Sequence, residues 1–334
     1  MLSTITQMKS LLILTILLTS FNSFGQEDIS YIEYHKNCRK AEKLFIQDSI
    51  SRCFDIYNKT FNKFEILFPR DCFMAAQFAH KTQNDSLAVE YILKGMEFGL
   101  NPKFFSEDST KMSPPKMHSL KSSLYWHKII EQKDSLFNIY YQKVNWELKN
   151  EIMTMIRIDQ NWRRKNNKWF NRTFRRGLEK KFDIVNKQHM NYFDSVFKEI
   201  GYPGTWIVGI GDSLGYETNY ASFNNANLDD LADIILYHND SAYVKYGDFL
   251  FNEIDRGHIH PRTYAIIRDF RDRHLVKKDK DENMYYNIWW ERDNYTEVEI
   301  EQHCFEIGCP TKQHLRNLNK KLGKEYDIFW YPFR

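Results

Sequence analysis

Apolar positions recur at helical spacing along most of the chain. Leu148, Ile152, Met155, Asp159 and Trp162 are spaced four, three, four and three, so all five share one face of a helix. Asp159 is then an acid on an apolar stripe, and Arg163, one turn on at i+4, is its nearest partner. A second helix carries Met190, Phe193 and Phe197 and is stopped by Gly201-Tyr202-Pro203-Gly204. Residues 206–211 read as a brief strand or a buried loop between glycines. Leu228, Leu231, Ile235 and His238 repeat at three, four and three, which puts His238 at a helix end on the apolar side. Asn239-Asp240 is expected to cap the following helix, which runs to about Asp255 and ends at Gly257. His258-Ile259-His260 reads as a polar turn, with metal ligation by the two histidines the alternative, and Pro261 opens a further helix. On that helix Ala265, Ile266, Asp269 and Phe270 share a face, so Asp269 also points inward.

The first half has a repeating pattern. Ala76, Ala88, Ile92 and Gly95 mark small or apolar positions at spacings of twelve, four and three. Thirty-five residues earlier the first three become Ala41, Cys53 and Tyr57. Small residues at those offsets let antiparallel helices pack closely, the logic of tetratricopeptide units. The clearer unit is a helix over 70–80, a turn at Gln83-Asn84-Asp85 and a helix over 87–98 ending at Gly99. Residues 101–115 break the pattern with Ser, Asp and Pro and read as a connecting loop; helix resumes from about Leu120.

The start of the chain differs from the rest. Lys9 precedes the apolar run 11–18, and small and polar residues follow as far as Gly25. That pattern is expected of a cleavable secretory signal cut after Gly25, leaving 309 of 334 residues for export to the periplasm or beyond. The run is shorter than the roughly 20 apolar residues a membrane-spanning helix needs. The domain plan is therefore a signal over 1–25, a tetratricopeptide-like helical section over 26–144 and a second helical domain over 145–334. The fold class is all-α.

Composition supports this plan. Aromatic residues make up 16% of the chain, Gly and Pro are few, and mean hydropathy is −0.61, a balance suited to aromatic-packed helices. A formal net charge of +3 is too small to call for a polyanion, so no nucleic-acid partner is expected. Basic and aromatic residues crowd 162–181, which reads as a solvated amphipathic helix or, alternatively, a site for envelope phosphates. Of five cysteines, Cys304 and Cys309 are spaced to pair with each other. With His303 and His314 they match no standard zinc spacing, and neither a metal nor a cofactor is expected. The aromatic tail 329–333 reads as a segment tucked into its own domain or displayed to a partner.

Asp159-Gln160 with Arg163, Gly201-Tyr202-Pro203, Gly209, His238 with Asp240, Gly257, Tyr264-Ala265, Asp269, Tyr285 and Gly308 follow one another in a recognisable order. The set resembles the bacterial domain-of-unknown-function family 6624, over about residues 145–315. The resemblance implies an exported helical domain that often follows helical repeats. The chain departs from the family's pattern at His189, where Asn is usual, and at Phe270, where Arg is usual. It departs again at Tyr286, where Gly is usual, and at His303, near a usual Arg.

His238, Asp159 and Asp269 are the candidate catalytic residues, and Arg163, Asp240 and Gln160 the candidate ligand-binding ones. A histidine with carboxylates is the kit of general acid–base chemistry, and an arginine beside it pairs with anions. No serine lies in a nucleophile elbow and no phosphate-cradling glycine loop is present. The first expectation is an exported interaction module that engages a protein partner of the cell envelope, with no lasting membrane insertion. The alternative is a hydrolase-type enzyme using the inward His, Asp and Arg.

Overall fold

The computed structural model describes residues 30–100, 117–167, 175–209, 231–239, 241–276, 285–286 and 295–323. The segment expected to be a signal (residues 1–25), the 101–115 connection, Asp240 and the aromatic tail lie outside them. Among the described residues there are thirteen α-helices, one short 3-10 helix and no strand, so the protein is all-α.

The first four helices form two hairpins: α1 (Tyr31–Ile46) with α2 (Ile50–Lys63), and α3 (Pro69–Lys81) with α4 (Asp85–Met96). In α1, Tyr34, Cys38, Ala41 and Phe45 are spaced four, three and four and all are buried. Cys53 and Tyr57 of α2 are fully buried, a packing role for the cysteine. Pro69 opens α3 at its first turn, and Asn84 caps α4 by accepting from the Leu87 amide at 3.3 Å. Gly95 is small because α3 comes close: a Cβ there would stand 3.0 Å from the Cβ of Cys72. The rings of Phe45 and Phe78 stack at 4.0 Å between α1 and α3. The 3-10 turn His118–Ser122 and α5 (Trp126–Lys143) complete this layer.

A second core is built from α6 (Trp146–Asn167), α7 (Arg175–Ile200), α8 (Thr205–Val208), α9 (Asp233–Tyr237), α10 (Ala242–Asp255), α11 (Pro261–Val276) and α12 (Glu297–Ile307). Two local expectations change. The stretch after Gly204 is a single helical turn, not a strand or a loop, because the amides of Ile207 and Val208 both bond back to the Gly204 carbonyl at 3.0 Å. The residue at the N-cap of α10 is Ser241, not Asn239-Asp240, and it makes no side-chain cap bond. Asn239 instead accepts from the Ser241 amide at 3.1 Å, a turn that leads into the helix.

The last helix, α13 (Lys312–Leu322), returns to the first core, where Leu315, Leu318 and Leu322 pack. Its anchor is polar. His314 Nε2 donates to Glu42 of α1 at 2.7 Å, and Glu42 is also paired with Arg39. Burial would raise the Glu42 carboxyl, but Arg39 and His314 more than offset it and hold it below its usual range. Burial and the Arg39 charge push His314 down to about 4, so it is neutral at pH 7. A depressed histidine favours the folded state fully above its ordinary 6.5, and the benefit is lost as pH falls toward 4. We therefore expect unfolding free energy to drop by about 2–4 kcal/mol between pH 7 and pH 4 through this group. Urea titrations at the two pH values should show the drop, and His314→Gln should remove this group's share of it.

Candidate functional site

The site is assembled from α6, the end of α9 and a roof from α11. Asp159 lies on the buried face of α6, as its spacing requires, and is 1% exposed. It gathers three donors. His238 Nδ1 stands 2.7 Å from Oδ2, and Gln160 Nε2 donates to the same oxygen at 3.0 Å. Arg163 Nε is shared between Oδ1 at 3.1 Å and Oδ2 at 3.0 Å. His238 is the C-cap of α9, and Arg163 Nη2 donates to its carbonyl at 3.3 Å. A cation there meets both an orphan carbonyl and the negative end of the helix. The guanidinium also lies over the ring of Phe182, 5.2 Å from its centroid.

Protonation states follow from this geometry. Burial would raise Asp159, yet the bond and charge of His238 and the charge of Arg163 hold it below the usual carboxylate range. Burial lowers His238, and Asp159 opposes that only in part. At neutral pH the pair is an ionised Asp159 and a neutral His238. An ionised carboxylate only accepts, so Nδ1 carries the proton and Nε2 carries the lone pair. Among the described residues no side chain bonds to Nε2 of His238 or to Nη1 of Arg163. The Arg163 side chain is one-third exposed, and that of His238 is 13% exposed.

Tyr237 and Phe270 cover the imidazole. The Tyr237 ring is 4.3 Å from that of His238 and 4.6 Å from that of Phe270. His189 of α7 is buried within the field of Asp159, and its Nδ1 has no hydrogen-bond partner. Burial, opposed by Asp159, lowers its pKa. His189 and Phe270 thus fall around this one cluster.

Of the six candidate residues, Asp159, Gln160, Arg163 and His238 are brought together. Asp240 lies outside the described residues. Asp269 is fully buried, and its carboxylate accepts from the Tyr286 amide at 3.0 Å, where it fixes the 285–286 segment. Tyr286 and His303 lie at this second place. His303 stacks on Tyr285 at 3.7 Å and bonds to its carbonyl at 2.9 Å. The opposite partner of Tyr285 is Arg268, whose guanidinium is 3.4 Å from the ring centroid.

A third cluster was not singled out by sequence reasoning. His35 of α1, Asp71 of α3 and His260 before α11 are all buried and each places a ligand-type atom within 4.8 Å of the others. A signal for it existed. His35, Cys38, Glu42 and Phe45 are spaced three, four and three, so a histidine and an acid share an apolar stripe, as Asp159 does on α6. All five cysteines are buried and free, including Cys304 and Cys309.

Comparison with protein families, curated proteins and solved structures finds no match to this chain.

Proposed function

We propose that the Asp159–His238–Arg163 cluster is a general-base site of hydrolase type that acts on an anionic substrate. The observation that carries this reading is the 2.7 Å bond between His238 Nδ1 and an ionised, buried Asp159. It fixes the ring and the tautomer, and leaves Nε2 as the base. A water bonded to Nε2 passes its proton to that nitrogen as its oxygen bonds to the ester's carbonyl carbon or phosphorus; the bond to the leaving oxygen breaks, and the imidazolium returns the proton to that oxygen. The forming imidazolium is stabilised by Asp159, and Nη1 of Arg163 pairs with the substrate's carboxylate or phosphate. The resemblance of residues 145–315 to family 6624 supports the same residues, since Asp159, Gln160, Arg163 and His238 belong to its ordered set. The signal-like start supports a place in the bacterial periplasm or outside the cell.

The test uses the mature chain with p-nitrophenyl acetate, p-nitrophenyl phosphate and bis(p-nitrophenyl) phosphate. One of these esters should be hydrolysed, with His238→Ala lowering kcat/KM by about 10²–10⁴-fold. Arg163→Met should raise KM for an anionic ester more than for the neutral acetate. Wild-type rates no higher than those of His238→Ala on every ester would rule the reading out.

A second reading has its own observation. Leu124, Ile130 and Tyr141, along and just before α5, are large apolar side chains that stand exposed, Leu124 at 87%. With the paired helices α1 to α4, they suit an envelope protein partner. Leu124→Asp with Ile130→Asp should abolish capture of that partner from periplasmic extract and leave ester hydrolysis unchanged.

A further inference from the structure

We infer that His35, Asp71 and His260 form a binding site for a late first-row transition-metal ion, Zn²⁺ or one of like size, which joins the two cores. Two imidazoles and a carboxylate are the donor set of many three-ligand metal centres, with further positions left for water or a ligand. Each residue offers one ligand atom, and these atoms lie within 4.8 Å of one another. Around an ion bonded at about 2.1 Å, donors stand about 3.0–4.2 Å apart, so closure needs a shift of about 1 Å at the side-chain tips. The three residues come from separate elements: α1 and α3 in the first core, and the residue before α11 in the second.

The independent observation is unmet polarity. His35 Nε2 and Asp71 Oδ2 are sealed from solvent with no hydrogen-bond partner, in side chains only 2% exposed. Leaving such atoms unpaired is costly in a folded protein. Two of them in one small cluster point to a polar occupant. Aromatic walls fix the rings in place. The ring centroids of His35 and His260 are 4.9 Å apart, and Phe68 lies 4.8 Å from the first and 5.3 Å from the second. His260 Nδ1 accepts from the Arg262 amide at 3.2 Å, a long bond that is exchanged if the ion takes that atom.

The surroundings select the kind of ion. Arg39, Arg70 and Arg262 all act on His260 electrostatically and work against any cation. Affinity must come from the two metal–imidazole bonds, which excludes Ca²⁺ and Mg²⁺ and favours ions that prefer nitrogen.

The experiment titrates the tag-free mature chain with Zn²⁺ by calorimetry and with Co²⁺ by visible absorption. One equivalent should bind and raise the thermal midpoint. Asp71→Asn and His35→Gln should each weaken binding by about tenfold or more, while the Cys304→Ser, Cys309→Ser double variant binds as the parent does. Absence of stoichiometric uptake by the folded parent overturns the assignment, as does uptake that neither variant changes. If a variant fails to fold, X-ray absorption of the Zn²⁺-loaded parent decides. A nitrogen and oxygen shell with two imidazoles upholds the site, and a sulfur shell overturns it.

Discussion

Asp159→Ala is expected to lower the unfolding free energy by about 2–4 kcal/mol. The carboxylate is fully sealed and is the common acceptor for His238, Gln160 and Arg163. Truncation leaves three donors around a void. Arg163 recovers part of its loss because one-third of its side chain reaches solvent, which places the figure below that for a wholly buried ion pair. His238 has less freedom, since Tyr237 and Phe270 confine its ring. Asp159→Asn separates charge from shape. Its amide oxygen can serve only some of the donors, and its NH₂ faces the others, so about half the loss should remain. In addition the His238 pKa should fall further, because Asp159 is what raises it against burial. Urea midpoints for the two variants, with the slope of the transition held constant, measure both stability losses. A loss under about 0.5 kcal/mol for Asp159→Ala would mean that the cluster is solvated, since surface changes fall in that range.

Gly308→Ala is the second large effect, at about 2–5 kcal/mol. Gly308 ends α12 in the left-handed region, with φ +73° and ψ 21°. That conformation alone costs an alanine about 1–2 kcal/mol. The larger contribution is contact. A Cβ here would lie 2.6 Å from the Cβ of His35 and 2.9 Å from the backbone of His35 and Lys36, so α1 itself would have to move. Asn tolerates the left-handed region better than Ala. If conformation alone decided, Gly308→Asn would regain most of the stability; because contact decides, it should be no better than Ala. Thermal unfolding of the two variants side by side distinguishes the cases.

The two predictions probe different scales, and so does what the sequence discloses. Spacing along one helix was enough to turn Asp159 and Asp269 inward, and i+4 was enough to pair Arg163 with Asp159. Both rules are local, set by 3.6 residues per turn. Neither says which carboxylate meets the histidine. His238 lies 79 residues from Asp159, and only the packing of α9 on α6 makes them partners. Asp269, equally inward, meets the Tyr286 amide 17 residues on, in a segment with no helical period to announce it. The return of α13 to the first core rests on His314 and Glu42, 272 residues apart, and no periodicity in α13 tells which core its leucines join. The turn after Gly204 went the other way from expectation. Four residues between glycines carry no usable period, and backbone bonds to Gly204 decided its state. The cluster of His35, Asp71 and His260 was legible in part, since His35 lies on an apolar stripe, but its convergence needed three elements from two cores.

The measurement that bears most directly on the account is the tautomer and charge of His238, read from ¹⁵N shifts of the imidazole-labelled protein between pH 8 and pH 4. The account predicts a neutral ring at pH 7 with the proton on Nδ1 and a lone pair on Nε2, titrating below the ordinary value of 6.5. The Nδ1–H signal should change in Asp159→Asn. An imidazolium at pH 7, or a neutral ring protonated on Nε2, would leave no base at the site and would contradict the proposed chemistry.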